Sequence, residues 1–345
     1  MESGATAPAP SPPPHPGILV IQTAFLGDVI LTTGLLTRLA APLGQVDVVV
    51  TPAAAALVET HPAVRRAWIY DKRGADRGMS GLLRLARELR GGHYRIAYLP
   101  HRSLRSALLA RLAGIPERIG FAGGPGAWSY TRRIARPTAG HEAERLLALA
   151  EPGPGVVARV SLGLVPDDRR LAADWLASRG IPPRFVALAP GSIWGTKRWP
   201  YYAELAAALE GPVVIVGGPE DRDLANAVAA GRPAVHVAAG DLPLRASAAL
   251  LGDASVLVTN DSAPLHLATA MGTPIVAIFG PTVPAFGFGP RGEEDRIVEH
   301  EFLPCRPCST HGPPVCPLRH HRCMRDVSVE RVLQAVREVG ERRRD

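Results

Sequence analysis

The chain has 345 residues, of which 46% are hydrophobic and 21% charged. That composition excludes general disorder, and the length suits two domains whose cores need no staples. Gly 35 and Pro 34 mark many turns, with no glycine at every third position, so collagen is excluded. The formal net charge of +7 fits anionic partners, namely phosphates, carboxylates or an acidic membrane face. No basic helix or aromatic–basic RNA motif is present, so nucleic acid is not an expected partner.

Met1 to Gly17 carries Glu2 and a cluster of prolines (Pro8, Pro10, Pro12, Pro13, Pro14, Pro16) without an apolar core segment. It reads as a disordered tail and not as a secretory signal. No apolar run approaches the roughly eighteen residues that span a bilayer. A cytoplasmic protein is expected, resting at most on a membrane surface.

Beyond the tail, short apolar runs alternate with helical patterns. Ile18–Ile21 predicts a buried strand, Val29–Ala40 a helix, Val46–Val50 and Ala67–Tyr70 further strands, Leu82–Leu89 a helix and Ile96–Leu99 a strand. The Pro- and Gly-bearing stretch from Glu151 to Pro166 reads as a connector. The alternation then restarts. Phe185–Ala189, Val213–Val216, Ser255–Val258 and Ile275–Phe279 predict strands, separated by helices near Tyr201–Leu209, Leu224–Ala230 and Leu265–Met271. Val329–Val339 predicts a closing helix. Strands alternating with helices mean crossover connections and parallel sheets. Two halves of similar size and kind predict an α/β protein of two doubly wound, Rossmann-like domains facing each other across a cleft.

Open α/β sheets bind ligands outside the carboxyl ends of their strands. The first strand is followed by Thr23-Ala24-Phe25-Leu26-Gly27-Asp28, and in the second half every strand end carries small, polar or charged residues. Pro190-Gly191-Ser192 leads to Lys197-Arg198-Trp199-Pro200, and Asn260-Asp261-Ser262-Ala263-Pro264 leads to His266. Asp261 or Ser262 suits a helix N-cap, Pro264 a first turn and Gly272 the helix end. The free N–H groups of such a start also form an anion site. The helix dipole there disfavours a protonated His266, which leaves two readings, a neutral ligand-binding imidazole or a core histidine. Lys197 is one of only two lysines, the other being Lys72, in an arginine-rich chain. Beside Arg198 it can neutralise a diphosphate, or form a solvated surface pair.

Asp28 opens a helix, so it serves either as dipole compensation or as a general base facing the cleft. The helix start by itself lowers its pKa and weakens it as a base. Asp221-Arg222-Asp223 looks like a metal-binding pair, but residues two apart on a helix do not face each other, so these are read as first-turn acids. Cys305, Cys308, Cys316 and Cys323 are near zinc-site spacing with irregular later gaps, which leaves both a structural zinc and reduced, packed cysteines open. A P-loop, a G-x-G-x-x-G after the first strand and a G-x-S-x-G elbow are all missing, which disfavours P-loop nucleotidase, dinucleotide oxidoreductase and α/β-hydrolase chemistry.

From Ile18 to about Met324 these motifs together resemble glycosyltransferase family 9, the lipopolysaccharide heptosyltransferases. Ile18-Leu19-Val20-Ile21 with Leu26-Gly27-Asp28-Val29-Ile30 is similar to the family's opening strand and catalytic turn. Leu99 to Ala107 with Ala113 to Gly120 is similar to its heptosyltransferase II acceptor-side segment. Pro190-Gly191-Ser192, Lys197 to Pro200, Asn260-Asp261-Ser262 with His266, and Gly280-Pro281-Thr282 are similar to its donor-site signatures, and the cysteine cluster ending Cys323-Met324 is also shared. The resemblance implies a GT-B fold, with a tail over 1–17, an acceptor-side domain over 18–155, a donor domain over 166–327 and a C-terminal helix over 328–345. It implies metal-independent, inverting transfer of heptose from ADP-L-glycero-D-manno-heptose to the lipopolysaccharide inner core, with no cofactor. Asp28 would be the base. Ser192 and Lys197 would hold the donor phosphates and Asp261 the donor sugar, with Ser262, Ala263 and His266 lining the donor site. Arg102 and Arg105 would meet the anionic acceptor. Ala263 stands where the family commonly has glycine, and a positive φ there would be strained. Two other readings remain open, a GT-B enzyme acting on another nucleotide sugar (an epimerase, hydrolase or other transferase) and a non-catalytic sugar-nucleotide-binding protein.

Overall fold

The computed structural model describes residues 17–151 and 157–342. The expected tail therefore lies outside the described residues except for Gly17, as do 152–156 of the connector and the last three residues of the chain. The first half carries strands β1 (Ile18–Ile21), β2 (Val46–Val50), β3 (Val64–Ile69), β4 (Ile96–Leu99), β5 (Glu117–Phe121) and β6 (Arg132–Ile134). Helices α1 (Leu26–Leu43), α2 (Pro52–Val58), α3 (Gly78–Arg90), α4 (Leu104–Leu112) and α5 (Glu142–Leu147) run between and after them, and α6 (Pro166–Ala177) follows the connector and packs against the second half. The second half carries β7 (Val186–Ala189), β8 (Val213–Ile215), β9 (Val235–Val237), β10 (Val256–Asn260), β11 (Ile275–Phe279) and β12 (Arg296–Glu299). Its helices are α7 (Tyr202–Ala208), α8 (Arg222–Ala229), α9 (Leu244–Gly252), α10 (Ala263–Met271), α11 (Arg322–Arg325) and α12 (Val329–Arg342).

Both sheets are parallel throughout. The first has the order β3-β2-β1-β4-β5-β6 and the second, read from its far edge, β9-β8-β7-β10-β11-β12. Each is therefore doubly wound about its own first strand, and the strand order reverses between β1 and β4 and between β7 and β10. The central strands are continuous apolar runs because helices cover both faces of a parallel sheet. Ile18–Ile21 and Ile275–Phe279 are buried at every position.

Strands β5, β6, β9 and β12 escaped the sequence reading for physical reasons, β9 because it is only three residues long. β6 and β12 lie at sheet edges and carry arginines, which blunt an edge against further pairing. β5 starts with Glu117-Arg118 and contains Gly120, whose missing side chain leaves room for the Tyr130 ring.

The two halves are not joined only by a connector. α1 packs on α10 and α2 on α9, and one apolar cluster runs from Ile30 and Leu35 of the first half to Leu265 and Ala268 of the second. Polar links reinforce it. The Glu142 N–H donates to the Gly287 carbonyl (2.8 Å), and Arg145 Nη1 donates to the Phe286 carbonyl (2.7 Å). The carboxyl ends of both sheets are thereby held facing each other.

Candidate active site

Between these facing strand ends lies a cavity of about 820 Å³, lined from both halves. Residues after β1, β2 and β3 and His101 after β4 form one wall, and the loops after β7, β8, β10 and β11 form the other. Both topological switch points thus open into the same space, which is where doubly wound sheets place ligands. Among the described residues no helix is long and apolar enough to cross a membrane.

Asp28 lies in the first turn of α1 and lines the cavity. The Phe25 N–H donates to its Oδ2 at 3.1 Å. Burial pushes its carboxyl up to about 6, and the Glu142 carboxylate adds to the rise. The Phe25 N–H and the Arg136 guanidinium pull the other way and lose. The backbone N–H groups of the helix start lower this pKa as expected, but desolvation of the carboxylate outweighs them and the net shift is upward. Gly27 is required by its neighbour across the cleft, since a Cβ there would stand 2.6 Å from Cδ2 of His266.

On the opposite wall Lys197 Nζ donates to Asp261 Oδ2 at 2.6 Å, and Thr282 Oγ1 donates to the same oxygen at 2.7 Å. Both side chains of the ion pair are about nine-tenths buried. A buried, doubly bonded carboxylate and a buried ammonium form a fixed polar unit. Asn260 is fully buried and ties the two loops together. It donates to the Pro190 carbonyl at 2.9 Å and accepts from the Trp199 N–H at 3.1 Å. Ser192 lines the cavity and accepts from the Trp194 N–H at 3.3 Å.

Ser262 occupies the N-cap position of α10 in extended conformation, with no side-chain cap bond, and Gly272 ends the helix in the left-handed region (φ 71°). Ala263 is the first helical residue and is not among the residues of positive φ. The strain considered for it does not arise, and its N–H is retained at the helix start. His266 is buried with Nδ1 unpartnered, and burial pushes its pKa down to about 4, which keeps the imidazole neutral at ordinary pH. Asp221 also lines the cavity, and its Oδ2 accepts from the Gly218 N–H at 3.2 Å. It closes a short 3-10 turn ahead of α8, in line with a first-turn acid.

The structure therefore brings Asp28, Ser192, Lys197, Asp261, Ser262, Ala263 and His266 to one cavity. It does not bring Arg102 and Arg105 there. Arg102 is exposed beside Gly124, and Arg105 is engaged by the Tyr70 hydroxyl and by the carbonyls of Asp76 (3.1 Å) and Gly78 (2.6 Å). The cations on that wall are Lys72 and Arg73, and Tyr70, Asp71 and His101 line it with them. Lys72 Nζ donates to the Thr23 carbonyl at 2.6 Å, and burial together with Arg73 and Arg105 lowers its pKa. The sequence held a signal for them, since Tyr70 ends a predicted strand and Lys72 is the second lysine. His311 was missed as well. Its ring is parallel to Trp194 (centroids 6.4 Å) and edge-on to Phe25 (6.0 Å), so a residue of the cysteine-bearing segment bridges the two walls.

The cysteines are free thiols. Cys305 Sγ lies 3.9 Å from His320 Nε2, Cys308 Sγ donates to the Cys305 carbonyl at 3.3 Å, and Cys323 is buried. Among the described residues no group of three or more His, Cys, Asp or Glu is arranged to hold a metal ion.

Two doubly wound halves that share one cleft at both switch points form the GT-B arrangement, in which glycosyltransferases work between facing domains. Residues 82–315 match the model of glycosyltransferase family 9 (heptosyltransferase). Lipopolysaccharide heptosyltransferase 1 of Pseudomonas aeruginosa is 31% identical over 336 residues, covering 92% of each chain. Lipopolysaccharide heptosyltransferase 2 of Escherichia coli K12 is 29% identical over 293 residues, covering 78% of this chain and 84% of that one. The structure of the E. coli ADP-heptose lipopolysaccharide heptosyltransferase II superposes with a TM-score of 0.78 at 24% identity, covering 95% of this chain and 99% of that one. The chain belongs to glycosyltransferase family 9, and it is a glycosyltransferase.

Proposed function

We propose that the enzyme transfers heptose from ADP-L-glycero-D-manno-heptose, with inversion, to an acceptor in the inner core of lipopolysaccharide at the membrane surface. One observation carries the reading. A carboxylate with its pKa raised to about 6 faces, across one cavity, a buried lysine–aspartate pair at a helix start. The family match and the names of the relatives support heptose as the transferred sugar and lipopolysaccharide as its destination. The solved E. coli relative is named for ADP-heptose, which supports ADP as the carrier.

In this reading the residues of 18–155 receive the acceptor and those of 166–327 the donor. Ser192, Lys197 and the N–H groups at Ser262 and Ala263 face the diphosphate. Asp261 and His266 face the sugar, and Lys72 and Arg73 face the anionic acceptor. The acceptor hydroxyl oxygen attacks the anomeric carbon as the bond from that carbon to the phosphate oxygen breaks. The hydroxyl proton passes to Asp28, whose pKa near 6 leaves it ionised yet basic at neutral pH. Charge grows on the departing diphosphate, and the ammonium of Lys197 and the start of α10 stabilise it. Facing walls exclude water and so suppress hydrolysis of the donor.

Calorimetric titration with ADP, UDP, GDP and NAD, followed by an assay with ADP-heptose and an inner-core acceptor, tests the proposal. Selective ADP binding and a product of inverted anomeric configuration are expected. Preference for UDP or GDP, or a retained configuration, overturns it.

A further inference from the structure

We infer that the face formed by the starts of α3 and α4 and the turn after β5 is the surface by which the enzyme docks on an anionic phospholipid leaflet. The inference rests on the reading that the acceptor is lipid-borne, and it names the surface that reading requires. Three large apolar side chains are exposed there, Met79 (60%), Leu104 (42%) and Trp128 (56%). They form one face and not three scattered sites. Arg105 Nη2 reaches the Gly78 carbonyl at 2.6 Å, which ties α4 to the start of α3. A Cβ at Gly126 would lie 3.4 Å from Cα of Leu104, and the Arg111 guanidinium stands 5.5 Å over the Trp128 ring, which ties the turn to α4.

The charge around these side chains has one sign. Residues 77–87, 101–116 and 118–141 contain no Asp or Glu. Arg77, Arg102, Arg111 and Arg133 are exposed and form no ion pair among the described residues. Asp76 is buried against Arg84, so it offsets little of this field. An exposed tryptophan and aliphatic tips ringed by arginines suit the headgroup boundary, where apolar bodies enter and guanidinium groups meet phosphates. Another exposed apolar side chain provides a contrast. Phe302 (85%) lies beside Glu301 and close in sequence to Glu299, and carries no such field.

The position of the face fits its task. α3, α4 and the 122–129 turn all follow strand carboxyl ends, on the sheet edge that opens into the cavity. Arg105 joins the face to Tyr70 of the cavity wall. A leaflet lying on Met79, Leu104 and Trp128 would present a headgroup-attached sugar directly to Lys72 and Arg73.

The test is co-flotation of the full chain with vesicles of phosphatidylglycerol and phosphatidylethanolamine, containing no lipopolysaccharide, against vesicles of phosphatidylcholine. Binding to the anionic vesicles, weakened by salt, is expected. The triple variant Met79→Ser/Leu104→Ser/Trp128→Ser and the variant Arg77→Glu/Arg111→Glu/Arg133→Glu should each bind at least about tenfold more weakly. Phe302→Ser should bind as wild type. On a delipidated, water-soluble acceptor the triple variant should keep its rate, and on vesicle-embedded acceptor it should lose most of it, which separates docking from misfolding. Equal binding to both vesicle types, or binding that survives the triple variant, overturns the inference. Vesicle binding without transfer of heptose would overturn the proposed function and leave the docking surface standing, and transfer without vesicle binding would do the reverse.

Discussion

On the wall built by the second sheet, Lys197, Asp261 and Thr282 satisfy one another at 2.6 and 2.7 Å, and Asn260 clamps the loops that carry them. On the wall built by the first sheet, the Asp28 carboxylate is held by backbone N–H groups of its own helix start and the Lys72 ammonium by a single carbonyl. The two walls share a topology and differ in how far their polar groups are already paired. A preorganised wall suits a ligand of fixed charge, because its dipoles need not reorganise as charge develops. A loosely bonded wall leaves a carboxylate free to gain a proton and an ammonium free to change partner. The division of labour is testable by disturbing each wall in turn.

The largest effect is expected from Asp28→Ala, which should lower kcat by about 10²–10⁴-fold. ADP affinity, measured by calorimetry, should stay as in wild type, and a parallel loss of affinity would show that the walls do not divide the work. Gly27→Ala should come next. Its Cβ would stand 2.6 Å from the buried His266 ring, so the walls must separate. A displacement on the order of 1 Å can lower kcat by about 10²-fold. Unchanged kcat would mean that the close approach at Gly27 is incidental. Lys197→Ala should act on binding. It removes a charge-assisted partner worth about 1.5–3 kcal/mol, so the Kd for ADP should rise roughly 10–100-fold. Normal ADP affinity in this variant would break the comparison from the other side.

The same contrast governs what could be read from sequence. The second wall comes from contiguous strings, Pro190 to Pro200 and Asn260 to His266, each lying directly after an apolar strand, so position and chemistry coincide along the chain. The first wall is assembled from loops after β1, β2, β3 and β4, and Tyr70, Lys72 and His101 share no motif. Arg102 and Arg105 carried the right charge, but a sequence does not say that Arg105 is already held by Tyr70 and two carbonyls. The basicity of Asp28 was out of reach for the same reason. It depends on burial between the halves and on Glu142, which is far along the chain and arrives through the packing of α5 on α1.

The pH dependence sharpens the comparison most finely. With Asp28 titrating at about 6, log(kcat/KM) should rise with unit slope below pH 6, a tenfold change per pH unit, and flatten above it. Stability should run the opposite way. The folded pKa lies above the ordinary 3.8, so the folded protein holds this proton more tightly than the unfolded chain. Folding is therefore favoured as pH falls through about 6 toward 3.8, and that advantage is lost as pH rises through 6. At neutral pH the ionised carboxylate costs up to about 3 kcal/mol. Asp28→Asn removes the charge and keeps an acceptor for the Phe25 N–H. It should be inactive yet melt higher than wild type at pH 7, with the difference vanishing below pH 4. A variant that melts with wild type at pH 7 would mean that Asp28 is solvated in the free enzyme, and that its basicity is acquired only when substrates close the cleft.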